Sequence, residues 1–177
     1  MFKRIAFSVN GKAFNFEADI RESLLEMLRN RLGYTGAKKG CGAGECGACS
    51  VLIDGIPFDS CIYLTVWADG KEITTIEGVA SKSGELSKVQ KAFVEQGAVQ
   101  CGFCTPGLVL TTQAMVESGK EFTTDEIKRE LSGHLCRCTG YQSILKAAVK
   151  SLEGHTCTCV DSPHYIQQHQ QDRIEER

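Results

Sequence analysis

Gly40-Cys41-Gly42-Ala43-Gly44-Glu45-Cys46-Gly47-Ala48-Cys49 sets three cysteines in the order Cys-x4-Cys-x2-Cys, and Cys61 follows after eleven intervening residues. A tight triplet with a distant fourth cysteine is the spacing that wraps a plant-type [2Fe–2S] cluster. The interleaved glycines fit the same chemistry. A sulfide-bearing cluster needs backbone folded closely around it, with amide N–H groups turned toward sulfur. Gly40, Gly42, Gly44 and Gly47 allow the φ values and the close approach this demands. A four-cysteine zinc site is the competing reading, but it ordinarily uses paired Cys-x2–4-Cys knuckles. Only Cys46 and Cys49 form such a tight pair here.

Working outward, the segments on either side read as strands around one helix. Ile5-Ala6-Phe7-Ser8-Val9 alternates, Asn10-Gly11 is a strong hairpin turn, and Ala13-Phe14-Asn15-Phe16 alternates again. Glu22 to Arg31 carries Leu24, Leu25, Met27, Leu28 and Leu32 at helical spacing, and Gly33 stops it. Beyond the cysteine loop come Ser50-Val51-Leu52-Ile53, the turn Asp54-Gly55 and Ile56-Pro57-Phe58, a second hairpin, then a short strand Ile73-Thr74-Thr75-Ile76. Residues 1–78 are therefore expected to form a small mixed sheet curled around one helix, a pattern compatible with a β-grasp domain. Leu24, Leu25 and Leu28 read as core, Lys38 and Lys39 as a solvated loop, and Tyr63 and Trp67 as packing between domains.

Residues 79–84 look like a linker, and the pattern beyond is helical. From Leu86, the residues Val89, Phe93 and Val94 form a stripe ending near Gly97. A second helix is expected from Thr105 as N-cap, with Pro106 first inside, to about Ser118. A third starts at Thr123 with Glu126 completing a capping box, and a fourth at Thr139 with Gln142 in the same relation. Residues 85–152 thus predict an all-α four-helix bundle. The polar stretch 153–177 cannot bury a core of its own and reads as a tail.

The bundle has its own constellation: Cys101-x2-Cys104 and, after 31 intervening residues, Cys136-x-Cys138. That spacing alone also suits zinc. The flanks Cys104-Thr105-Pro106-Gly107 and Cys138-Thr139-Gly140-Tyr141 look like a repeated design, ligand cysteine then capping threonine then helix, which would aim two helix N-termini at a negatively charged cluster.

Composition narrows the class. Hydrophobic content of 42% and charged content of 24% are those of a globular protein, and 22 acidic against 20 basic residues give a net charge of −2. No basic excess points to nucleic acid or a membrane surface, and no stretch approaches a spanning helix or a signal-peptide core, so a cytoplasmic location is expected. Ten cysteines as disulfides would require an oxidising compartment, which makes metal ligation the better reading. Within the tail, Cys157 and Cys159 are too close together for an easy chelate, so they read as surface thiols and not as a third metal site with His155 and His164.

Three stretches, the Gly40–Cys49 run, Val99-Gln100-Cys101-Gly102-Phe103-Cys104-Thr105-Pro106-Gly107 and Leu135-Cys136-Arg137-Cys138-Thr139-Gly140-Tyr141, closely resemble the small iron–sulfur subunit of molybdenum hydroxylases, the xanthine dehydrogenase and carbon monoxide dehydrogenase family. The likeness covers roughly residues 3–152. It implies a plant-ferredoxin-like β-grasp domain followed by a four-helix bundle, each holding one [2Fe–2S] cluster. Cys41, Cys46, Cys49 and Cys61 would hold the cluster nearer a flavin; Cys101, Cys104, Cys136 and Cys138 the one nearer a pterin. Electrons would pass one at a time from molybdopterin on a large subunit to FAD on a medium subunit, in a dimer of heterotrimers. The resemblance places Gln100 and Cys138 beside the pterin. It implies a redox subunit with no catalytic residues of its own. A purine such as xanthine or hypoxanthine is the expected substrate, with carbon monoxide, aldehydes, nicotinate-like heterocycles and a free-standing two-cluster ferredoxin as alternatives. Relatives commonly carry Asn where His134 stands, and a local hydrogen bond with at most a tuning effect is expected of it.

Overall fold

The computed structural model describes residues 1–153. The sequence-based expectations for the segment beyond, including His155, Cys157, Cys159 and His164, fall outside the described residues. Strands β1 (Phe2–Val9) and β2 (Lys12–Asp19) pair antiparallel across the Asn10-Gly11 turn. Both turn residues have positive φ, 52° and 75°, the type I′ geometry that matches strand twist. Strands β3 (Ser50–Ile53) and β4 (Ile56–Asp59) repeat the device with Asp54 and Gly55 at 50° and 81°. Strand β5 (Glu72–Thr74) pairs parallel to β1 and antiparallel to β3, giving a mixed sheet in the order β2-β1-β5-β3-β4.

Helix α1 (Leu24–Glu26) continues as a wider π-helical turn over Met27–Arg31. It starts later than the periodicity suggests, because Ser23 and Glu26 close a capping box. Alternate residues Ile5, Phe7 and Val9 of β1 meet Leu24, Leu25 and Leu28, with Val51, Ile53 and Ile73 completing this first core. Burial of each large side chain contributes roughly 1.5–3 kcal/mol.

The second core is formed by α2 (Lys88–Glu95), α3 (Thr105–Glu117), α4 (Thr124–Leu131) and α5 (Gln142–Ser151). Val89, Phe93, Leu108, Met115, Ile127, Leu131 and Ile144 meet inside it. Helix α3 is buried around most of its circumference, and it packs across β3 and β4 as well as against the other helices. This explains why all four residues of β3 are buried: Val51 and Ile53 face the first core, while Leu52 is covered from the other side. A strand covered on both faces reads as a continuous apolar run, not an alternation.

Several expectations need correcting. Val94 is 62% exposed, so the α2 stripe is Val89, Ala92 and Phe93. Cys104, not Thr105, is the N-cap of α3, and no side chain caps it. Helix α5 starts at Gln142 behind Tyr141 in the left-handed region, φ 67°, so Thr139 is not a helix cap and the repeated capping-threonine design fails at both helices. Trp67 is 56% exposed and stacks edge-on with Tyr63, which stacks with Phe58. These rings form a ladder on the sheet domain and do not pack between domains. Lys39 is exposed, while Lys38 is half-buried and donates to the Thr35 and Gly36 carbonyls.

Candidate metal centres

The first cysteine loop is closed at its base by the Lys38 N–H donating to the Ala48 carbonyl at 2.9 Å, and Arg29 ties Thr35 and Ala37 carbonyls at 2.7 Å each. Inside it, Gly42, Gly44 and Gly47 adopt φ of 70°, 75° and 66°. Gly40 serves close approach instead, since a Cβ there would lie 2.8 Å from Cys46 Sγ. The result is a set of N–H groups turned onto sulfur. Ala43 and Glu45 each donate to Cys41 Sγ at 3.3 Å, and Cys41 N–H donates to Cys46 Sγ at 3.4 Å. The Ala43 and Glu45 bonds lower the Cys41 pKa to about 6, the direction that favours a thiolate. Cys49 is buried beside Cys61 and its thiol lies 3.5 Å from Asp59 Oδ1. Burial pushes that thiol up, a cost that coordination to a cation reverses.

The second candidate centre draws its cysteines from two loops. Gly102, φ 79°, bends the chain between Cys101 and Cys104. Cys104 is buried and pushed up to about 12 by that burial, with Cys136 as its thiol neighbour. Burial also raises Cys136, but the Thr139 hydroxyl at 3.2 Å and the Thr139 N–H at 3.5 Å outweigh it and leave about 7. The Cys138 thiol is paired with Cys101 and its pKa is raised by that contact. The Tyr141 hydroxyl accepts the Cys136 N–H at 2.8 Å, so the left-handed Tyr141 orients the ligand loop from below.

In both centres the thiols stand two by two: Cys41 with Cys46, Cys49 with Cys61, Cys101 with Cys138 and Cys104 with Cys136. Among the described residues no three Cys, His, Asp or Glu side chains converge on a single ion. Four thiols in two pairs, with backbone N–H groups on the sulfurs of Cys41, Cys46 and Cys136, are a donor set that a two-iron cluster takes, two thiolates to each iron. The residues present therefore fit [2Fe–2S] in both places.

The two centres are neighbours. Leu135 N–H donates to the Cys46 carbonyl at 3.0 Å, and the Phe103 ring lies 3.6 Å from where a Gly40 Cβ would be. His134 is buried and bonds Thr111 on α3, far from it in sequence, so its partner is not local as expected. Gln100 is exposed beside Cys101. Sequence reasoning missed Tyr141, Leu135 and the ordering role of Thr139. The Gly140-Tyr141 pair was the one visible signal, a glycine followed by a hydroxyl-bearing ring.

Comparison with known proteins follows the same division. The 2Fe-2S iron-sulfur cluster binding domain family matches residues 7–73, and the [2Fe-2S] binding domain family matches residues 75–149. The xanthine dehydrogenase iron-sulfur-binding subunit of Escherichia coli O157:H7 is 52% identical over 147 residues, covering 82% of this chain and 91% of that protein. The chain belongs to the small iron–sulfur subunits of the molybdenum hydroxylases. Another member of this family, the nicotinate dehydrogenase small FeS subunit of Eubacterium barkeri, is 44% identical over 84% of this chain and 94% of its own length. Among solved molybdenum hydroxylases, quinoline 2-oxidoreductase from Pseudomonas putida 86 superposes with a TM-score of 0.78 at 39% identity, covering 87% of this chain and 98% of that one. Aldehyde oxidoreductase from Desulfovibrio gigas gives 0.79 at 36% identity, with this chain matching 17% of that longer one. Membership in the family makes the chain a redox subunit of an oxidoreductase whose partner subunits carry molybdopterin and FAD. No helix among the described residues is long and apolar enough to cross a membrane.

Proposed function

We propose that this chain relays electrons one at a time from molybdopterin on a large subunit to FAD on a medium subunit of a cytoplasmic purine hydroxylase, with xanthine or hypoxanthine as substrate. A [2Fe–2S] cluster, when bound, supplies a one-electron redox couple. In this reading Cys41, Cys46, Cys49 and Cys61 hold the cluster on the flavin side, within a domain over residues 1–78. Cys101, Cys104, Cys136 and Cys138 hold the one on the pterin side, within a domain over 85–152. The observation that carries the relay is the 3.0 Å hydrogen bond from Leu135 N–H to the Cys46 carbonyl. It joins a ligand residue of one set to the residue before Cys136 in the other.

Exposure supports a docking face. Val99, Phe103, Leu135 and Tyr141 are 42%, 44%, 62% and 40% exposed, and they flank exposed Gln100, Cys101 and Cys138 in sequence. An apolar patch around a redox centre supports a partner seat, here for the large subunit with Gln100 beside the pterin, in a dimer of heterotrimers. Purine as substrate rests on the 52% identity to a xanthine dehydrogenase subunit, against 44% to a nicotinate dehydrogenase subunit.

The test is to purify the chain anaerobically with its native partners and add xanthine, nicotinate or an aldehyde in turn. Xanthine is expected to bleach the visible absorbance. If only nicotinate or an aldehyde does so, the purine assignment falls and the relay stands. A chain that elutes alone and is reduced by none of them is a free-standing carrier instead.

A further inference from the structure

His134 sits where the two cysteine loops meet. Its imidazole is 5% exposed, and Nε2 lies 2.8 Å from Thr111 Oγ1 on α3. The ring occupies a slot that two glycines leave open. A Cβ on Gly47, inside the first cysteine loop, would fall on His134 Nδ1, and one on Gly107, in the first turn of α3, would come within 3.1 Å of it. The Gly107 Cβ would also fall on the Gly47 carbonyl oxygen, so loop and helix touch backbone to backbone at this point. The chain on either side is equally committed: His134 N–H donates to Leu131 at 3.1 Å, and the next N–H is the Leu135 bond to Cys46.

The chemistry of the ring argues against simple filling. Nδ1 lies against the Gly47 carbonyl but without the alignment of a full hydrogen bond. That oxygen also accepts the Ser50 N–H at 3.2 Å and the Ser50 hydroxyl at 2.9 Å, which compete with the ring for it. With an acceptor on its Nδ1 side, the contacts assign the proton to Nδ1 and leave Nε2 to accept from Thr111. A nitrogen left imperfectly matched in a buried slot costs stability, and an apolar side chain of similar size would avoid that cost.

We infer that His134 is a positioning residue: its imidazole, braced on Thr111, holds the Gly47 peptide of the first cysteine loop at a fixed distance from α3 and from the Cys136–Cys138 loop, and so sets the coupling between the two redox centres. The inference rests on the two-cluster reading above.

The test uses the full chain with clusters assembled, reduced with dithionite and observed by EPR. The unaltered chain comes first: about four irons and two signals are required, and their absence fails the two-cluster reading itself. Thr111→Val and His134→Ala are then expected to keep the iron, shift the signal of the first centre and reduce the splitting each cluster imposes on the other. His134→Gln, whose amide can reach Thr111, is expected to restore part of both. Unchanged signals and splitting in the two variants, even with a lower Tm, would overturn the inference, because that is how a filler behaves. Should His134→Ala lose iron, Thr111→Val decides alone, since it lies outside both cysteine loops.

Discussion

The two candidate centres each gather four cysteines, and they do so by different means. The first is built by a loop: three cysteines within nine residues, positive φ at Gly42, Gly44 and Gly47, and backbone N–H groups of Cys41, Ala43 and Glu45 on sulfur. The second is built by a bundle: two cysteine pairs 31 residues apart in sequence, brought together by helix packing and trimmed by the Thr139 and Tyr141 hydroxyls. Local backbone conformation therefore decides the first centre, and tertiary packing decides the second. Damage should sort the same way.

The largest effect is loss of a ligand. Cys41→Ser and Cys104→Ser are each expected to lower iron to about half and to remove one EPR signal, a different one in each variant. Loss of both signals from either variant would mean that the centres do not stand separately. Next comes a pair of glycines in one loop. Gly47→Ala puts a methyl onto His134 Nδ1 and the Gly133 carbonyl oxygen, so the first centre should fail to assemble. Gly42→Ala has only Lys39 Cε nearby, at 3.7 Å, and should cost roughly 1–2 kcal/mol from its positive φ while keeping the cluster. Visible absorbance of the purified variants separates the two, and equal behaviour would break the loop-built account.

Core truncation probes the other half of the comparison. Leu108→Ala and Leu25→Ala each empty a fully buried site, at about 2–5 kcal/mol. In urea, Leu108→Ala should release the second cluster at lower denaturant than the first, and Leu25→Ala the reverse. Identical order in both would show the two cores unfolding as one. The smallest effect is at the surface of the bundle. Thr123→Ala removes the α4 capping box at about 1 kcal/mol, visible in Tm and silent in both EPR signals.

The same contrast governs what could be read from the chain. The conformation of the first cysteine loop was legible because its glycines and the type I′ hairpins are local, and the Asn10-Gly11 and Asp54-Gly55 turns lie where the sequence puts them. The Thr123 capping box was legible for the same reason. Helix starts at Cys104 and Tyr141 were not, since a cap there is set by how the ligand loop leaves the cluster site and not by a side-chain cap. Nor could the sequence show that α3 covers β3, although the unbroken run Val51-Leu52-Ile53 hinted at a strand buried on both faces. Trp67 was misplaced because an aromatic residue near a ligand carries no address: its ring joins a surface ladder with Tyr63 and Phe58.

In the relay proposed above, each cysteine set holds its own [2Fe–2S] cluster. Iron and acid-labile sulfide per chain, measured on anaerobically purified protein together with EPR after dithionite reduction, test it most directly. About four irons, four sulfides and two distinct spin-one-half signals are predicted. Zinc without sulfide, or half the iron with a single signal, would contradict it.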